Sequence, residues 1–127
     1  MRAVDANVLV RLLVRGEEEQ VRAAERFIAG GAWVSHLVLI EAVRVLDAVY
    51  GRTDRQIGDA LEMLLNHDAL TVQEGEVVTA ALQKFRDRST VDFCECLILE
   101  TARKAGHTPL GTFDRRLATL EGAERLK

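Results

Sequence analysis

The sequence predicts an α/β fold, a central parallel sheet of about four to five short strands flanked by helices on both faces. Three observations carry that reading. Short Val- and Ala-rich runs alternate with longer segments whose apolar residues recur at helical spacing. Those short runs suit parallel strands covered on both sides. Of the 127 residues, 48% are hydrophobic and 29% charged, a balance that builds an ordinary globular core. A single proline, with no repeat and no biased tract, predicts one domain over residues 1–127.

The elements follow in order. Residues 2–4 read as a first strand and 7–14 as a brief apolar helix. Residues 17–28 carry Val21, Ala24, Phe27 and Ile28 at helical period, closed by Gly30 and Gly31. Ala32–Val34 reads as the second strand. Ser35 is a good N-cap for a helix through Leu39, Ile40, Val43, Leu46 and Tyr50, ended near Gly51. Thr53 with Gln56 forms a capping box for a helix reaching Leu65. Leu70–Val72 reads as a third strand, and 74–85 as a helix. Residues 92–105 are the most apolar helix, predicted to lie across the core and to end at Gly106. A strand over 108–112 and a short helix over 114–120 complete the pattern.

Several simpler features bound the function. Net charge is −3, so bulk electrostatics does not recruit a polyanion, and any nucleic-acid contact must be a local basic patch. Cys94 and Cys96 point to different sides of one helix and read as small buried hydrophobes. His36, His67 and His107 are scattered without metal-ligand spacing and read as cap neighbours or surface residues. Trp33 reads as core or dimer contact, and the Glu17, Glu18, Glu19 run as charge at a helix N-terminus. No apolar run is long enough for a membrane span and no signal peptide is visible, so a cytoplasmic location is expected.

Five carboxylates stand out by position. Asp5 follows the first strand and Asp114 the last, where open parallel sheets build their ligand sites. Glu41 lies well inside an apolar helix. Asp92 and Glu95 share one face at the start of the most apolar helix. Each also has a structural reading. Asp5 and Asp114 suit N-caps; Asp92 suits a cap with Glu95, or a capping box with Ser89; Glu41 suits a solvated helix edge paired with Arg44. If the acids converge, their mutual repulsion calls for a cation or for protons. Magnesium, a hard ion held by a few carboxylates, meets phosphate oxygens and activates water, so phosphodiester hydrolysis suits such a cluster.

The segments VDANVLVRLLV (4–14), SHLVLIEAVRVL (35–46), VDFCECLILETARKAG (91–106) and LGTFDRRLATL (110–120) resemble the successive motifs of PIN domains, specifically VapC-type toxin ribonucleases. The resemblance covers essentially the whole chain. It implies a PIN-like fold and an acidic pocket binding Mg²⁺ or Mn²⁺ that cuts RNA endonucleolytically. The matching carboxylates are Asp5, Glu41 and Asp114, with Asn7 and Thr112 as polar support. It also implies a homodimer and a VapB-like antitoxin that presents a basic residue to the carboxylates. The chain departs from most relatives at Glu95, where Asp is usual. The extra methylene moves the carboxylate by about one C–C bond, so Asp92 and Glu95 both stand as candidates for the third ligand. Arg88, Arg115 and Arg116, with Lys84 and Arg86 nearby, are candidate RNA contacts, although a solvated face is the plainer reading. A catalytically weakened PIN-like module is the competing reading. A receiver-type phosphoacceptor domain fits poorly, lacking a central Asp and a late Lys at the required places.

Overall fold

The computed structural model describes residues 1–88 and 90–127. A capping box between Ser89 and Asp92 therefore falls outside the described residues. The chain forms two compact units, Met1–Gly75 and Glu76–Lys127.

The first unit contains β1 (Arg2–Ala3), α1 (Ala6–Leu13), α2 (Glu18–Ile28), β2 (Ala32–Val34), α3 (His36–Ala48), α4 (Asp54–Leu65) and β3 (Leu70–Val72). Its strands are parallel in the order β1-β2-β3, with Ala3 opposite Trp33 and Val34 opposite Val72. Helix starts are set by side chains. Ser35 Oγ accepts the Val38 N–H at 3.1 Å. Thr53 and Gln56 close a full capping box, at 3.2 Å and 2.9 Å. Just past the strand ends, the His36 N–H donates to Gln73 Oε1 at 2.9 Å and its Nε2 meets the Gln73 carbonyl at 2.7 Å. The cap-neighbour histidine thus clasps the end of β2 to the end of β3. Leu9, Ala32, Val34, Leu39 and Leu61 are fully buried and form the heart of this unit.

The second unit contains most of α5 (Gly75–Asp87), then α6 (Phe93–Lys104), β4 (Leu110–Thr112), a 3-10 turn (Leu117–Thr119) and β5 (Ala123–Arg125). Helix α6 is buried almost all round, at Phe93, Cys96, Leu97 and Leu99, with Ile98 left half exposed. Phe85 and Phe93 meet edge to face at 6.2 Å between ring centres. Strands β4 and β5 pair in parallel, Leu110 opposite Ala123 and Thr112 opposite Arg125.

Among the described residues five strands are present and all pair in parallel, but their hydrogen bonds group them as three and two. The strand anticipated over 108–112 begins at Leu110, because Pro109 brings no N–H to a ladder. The helix anticipated over 114–120 tightens to a single 3-10 turn, because Asp114 Oδ1 takes the N–H groups of both Arg116 and Leu117.

Glu100, unremarked in the sequence, is buried in α6. Arg103 Nε lies 3.3 Å and Lys84 Nζ 3.9 Å from its carboxylate. Arg103 also donates to the carbonyl of Glu121, tying α6 to the turn before β5. Gly122 completes that turn at φ +94°, and a Cβ there would stand 2.8 Å from Arg103 Nη2. Gly122→Ala is therefore expected to cost about 1–3 kcal/mol, combining a left-handed backbone with a displaced guanidinium. Urea unfolding checks this; an unchanged midpoint would mean the turn is not held as described.

Candidate active site

In the first unit, Asp5 caps α1 from an extended backbone, its Oδ1 accepting the Ala6 N–H at 2.7 Å. Glu41 rides mid-way along α3, exposed beside buried Leu39, Ala42 and Val43, and forms no ion pair with Arg44 among the described residues. Helices α1 and α3 pack together, so these two acids sit on neighbouring helices. Asn7, in the first turn of α1, lies on the rim of a groove of about 640 Å³. That groove also takes in Val10, Phe27, Val45 and the Arg11–Tyr50 hydrogen bond, and its lining includes neither Asp5 nor Glu41.

The second unit carries the denser part of the acid set. Asp92 caps α6, its Oδ1 accepting the Glu95 N–H at 2.8 Å. Glu95 is only partly exposed, and its carboxyl is pushed up from the usual value to about 7. Burial is the largest cause, followed by a side-chain hydrogen bond with Asp92 and by the charges of Asp92 and Asp114; Arg116 acts in the opposite sense. Thr112 Oγ1 accepts the Asp114 N–H at 3.0 Å. Asp114 Oδ1 in turn accepts from Arg116 at 2.8 Å and Leu117 at 2.9 Å. The structure thus brings Asp92 and Asp114 each within electrostatic reach of Glu95, with Thr112 against Asp114. Arg88, Arg115 and Arg116 are exposed.

The structure shows the capping use of three of these acids directly. In Asp5, Asp92 and Asp114 alike, the helix-capping bonds engage Oδ1. In Asp5 and Asp114 the other oxygen stands outside the capping bonds, while the Asp92 side chain also hydrogen-bonds that of Glu95. This is how a carboxylate is preorganised.

Among the described residues, no group of three or more His, Cys, Asp or Glu side chains is disposed to hold a metal ion. The donors of the second unit's acids are all oxygen, the type that suits a hard divalent cation.

Cys96 lies next to this cluster, is fully buried and is not disulfide-bonded. Burial first, and then the charges of Asp92, Glu95 and Glu100, push its thiol up to about 12. Thiolate is the reactive species, so an aromatic disulfide reagent at pH 8 is expected to spare Cys96 until denaturant unfolds the chain. Rapid labelling of Cys96 in the native protein would contradict its placement.

No helix among the described residues is long and apolar enough to cross a membrane. No curated protein sequence matches the chain. Among solved structures, that of VapC20 from Mycobacterium tuberculosis, described as a sarcin–ricin loop cleaving toxin, matches with 17% identity over 98% of each chain and a TM-score of 0.44. The PIN domain family model matches residues 2–123, running through both units and nearly the whole sequence. The chain belongs to the PIN domain family.

Proposed function

We propose that this protein is a Mg²⁺- or Mn²⁺-dependent endoribonuclease, the cytoplasmic toxin of a VapBC-like pair. The observation that carries the reading is the grouping of acids in the second unit: Asp92 caps α6 through the Glu95 N–H at 2.8 Å, and the charges of Asp92 and Asp114 both reach Glu95. Membership of the PIN family and the four motif segments support it.

In this reading the carboxylates at the family's motif positions, Asp5 and Glu41 in the first unit and Asp114 with the Asp92–Glu95 pair in the second, are those that would serve the cation. The cation, when bound, lowers the pKa of water and offsets the charge that develops on the phosphate. The chain's own residues do the rest. The caps hold Asp5, Asp92 and Asp114 in fixed rotamers, so little ordering is left for the moment of binding. Thr112 and the Arg116 and Leu117 amides keep Asp114 from turning away. A cation held beside Glu95 would favour its charged form. Arg88, Arg115 and Arg116 provide local positive charge for RNA phosphates on a chain whose net charge is −3. Asn7, in the first turn of α1, would give polar support beside Asp5. Regulation falls to a VapB-like antitoxin, and the working species is a homodimer.

A second reading is favoured by one feature, Glu95 in place of the usual Asp. It makes the protein a PIN-like module that binds antitoxin or RNA without efficient cleavage. End-labelled RNAs incubated with Mn²⁺, Mg²⁺ or EDTA separate the two. The nuclease gives discrete products that EDTA abolishes; the module binds RNA and leaves it intact. Glu95→Asp is expected to change the rate by up to about 10- to 100-fold, the usual reach of an adjustment around a metal site. A much larger gain would mean that the natural site is impaired.

A further inference from the structure

Phe113 is 74% exposed, whereas Phe85 and Phe93 of the same unit are 5% and 1% exposed. A phenyl ring left in water forgoes about 2–3 kcal/mol of burial. The segment that holds it out is not loose. On one side β4 is paired, with the Leu126 N–H on the Thr112 carbonyl at 2.7 Å. On the other, Asp114 is fixed by Thr112, Arg116 and Leu117, and the Ala118 N–H reaches the Asp114 carbonyl at 3.1 Å. Leu117 and Leu120 are buried and anchor the turn. A rigid backbone therefore presents an aromatic face to solvent, one residue before the carboxylate of Asp114 and two before exposed Arg115.

We infer that Phe113 is a substrate-stacking residue: its ring takes the face of one unpaired RNA base beside the phosphate to be cut, while Arg115 and Arg116 meet the flanking phosphates. The inference deepens the ribonuclease reading and rests on it. Stacking suits this position because every base has a π-face, and because a base inside a duplex offers none to a side chain. The ring therefore selects loops, bulges and single strands over duplex. It sets which nucleotide is seated without touching the reacting atoms.

The test uses the full-length protein and a short single-stranded RNA that the wild type cleaves. Phe113→Ala should lose about 5- to 150-fold in kcat/KM, the range that base–aromatic stacking spans, mainly through KM. Phe113→Trp should keep wild-type KM. Phe113→Leu, equally apolar but without a π-face, should resemble Phe113→Ala. Cleavage of Phe113→Ala within twofold of wild type, or restoration by leucine, overturns the stacking role alone. A change in oligomeric mass by light scattering that tracks the loss would assign the ring to a protein interface and also overturns it. Failure of the wild type to cleave any RNA overturns the nuclease reading and this inference with it. Thermal unfolding of each variant should match wild type, because the ring buries so little.

Discussion

Asp114→Asn should cleave RNA on the order of 100-fold more slowly than wild type while unfolding within about 0.5 kcal/mol of it. The two expectations come from different oxygens of one side chain. Asparagine keeps an Oδ1 that accepts from the Arg116 and Leu117 amides, so the 3-10 turn and its anchor survive. It loses the negative charge, and with it the attraction for a divalent cation. Asp114→Ala removes both and should add a loss of about 1 kcal/mol, the usual cost of deleting a cap. Initial cleavage rates at saturating Mn²⁺, paired with urea unfolding, separate the two roles. An asparagine variant with wild-type activity would mean that Asp114 is only a cap.

The second large effect is a pH dependence of stability centred on Glu95. Its carboxyl stands at about 7 in the folded chain against an ordinary 4.5. Folding therefore favours the protonated form. The stabilisation is fully present below pH 4.5, declines as pH rises, and is lost once pH passes through 7. Solvent screening at this partly exposed group limits the effect to about 1–2 kcal/mol. Glu95→Gln mimics the protonated carboxyl and should lack this component. In EDTA the variant should equal wild type near pH 4.5 and exceed it by that amount at pH 8. Mn²⁺ at pH 8 should close the gap, because a cation bound only by the folded state stabilises wild type by mass action. If the two proteins keep a constant stability difference across this range, the description of the Glu95 environment is wrong.

Much of the fold was legible because it rests on local chemistry. Ser35, and Thr53 with Gln56, announced two helix starts by side chains that reach only three residues along the chain. Ala32–Val34 and the apolar α6 were visible from composition alone. What escaped depends on distant partners. Strand β5 is Ala-Glu-Arg, without any strand pattern, and it exists because β4 offers it a backbone ladder. Glu100 reads as one more charge on a helix, yet it is buried because Lys84 and Arg103 meet it from either side. The grouping of five strands into three and two is a matter of pairing that no single segment encodes.

The candidate site was legible in a different sense. Asp92 and Asp114 could be read as caps or as functional acids, and that ambiguity had a physical source, since both uses begin at the same first-turn position. The structure shows capping by one oxygen in each case. The raised carboxyl of Glu95 was invisible, because it depends on burial and on Asp114, nineteen residues away in sequence. Phe113 escaped for the opposite reason: only its exposure distinguishes it from the phenylalanines of the core.

The central claim is that carboxylates of this chain recruit a divalent cation to cut RNA. The rate of cleavage of one end-labelled RNA, followed across a Mn²⁺ titration for wild type and Asp5→Asn, tests it most directly. The account predicts a saturable, EDTA-reversible rise for wild type and, for Asp5→Asn, a rate lower by on the order of 100-fold at the same Mn²⁺. A wild-type rate indifferent to Mn²⁺ and EDTA, or an Asp5→Asn curve superimposed on that of wild type, would contradict it.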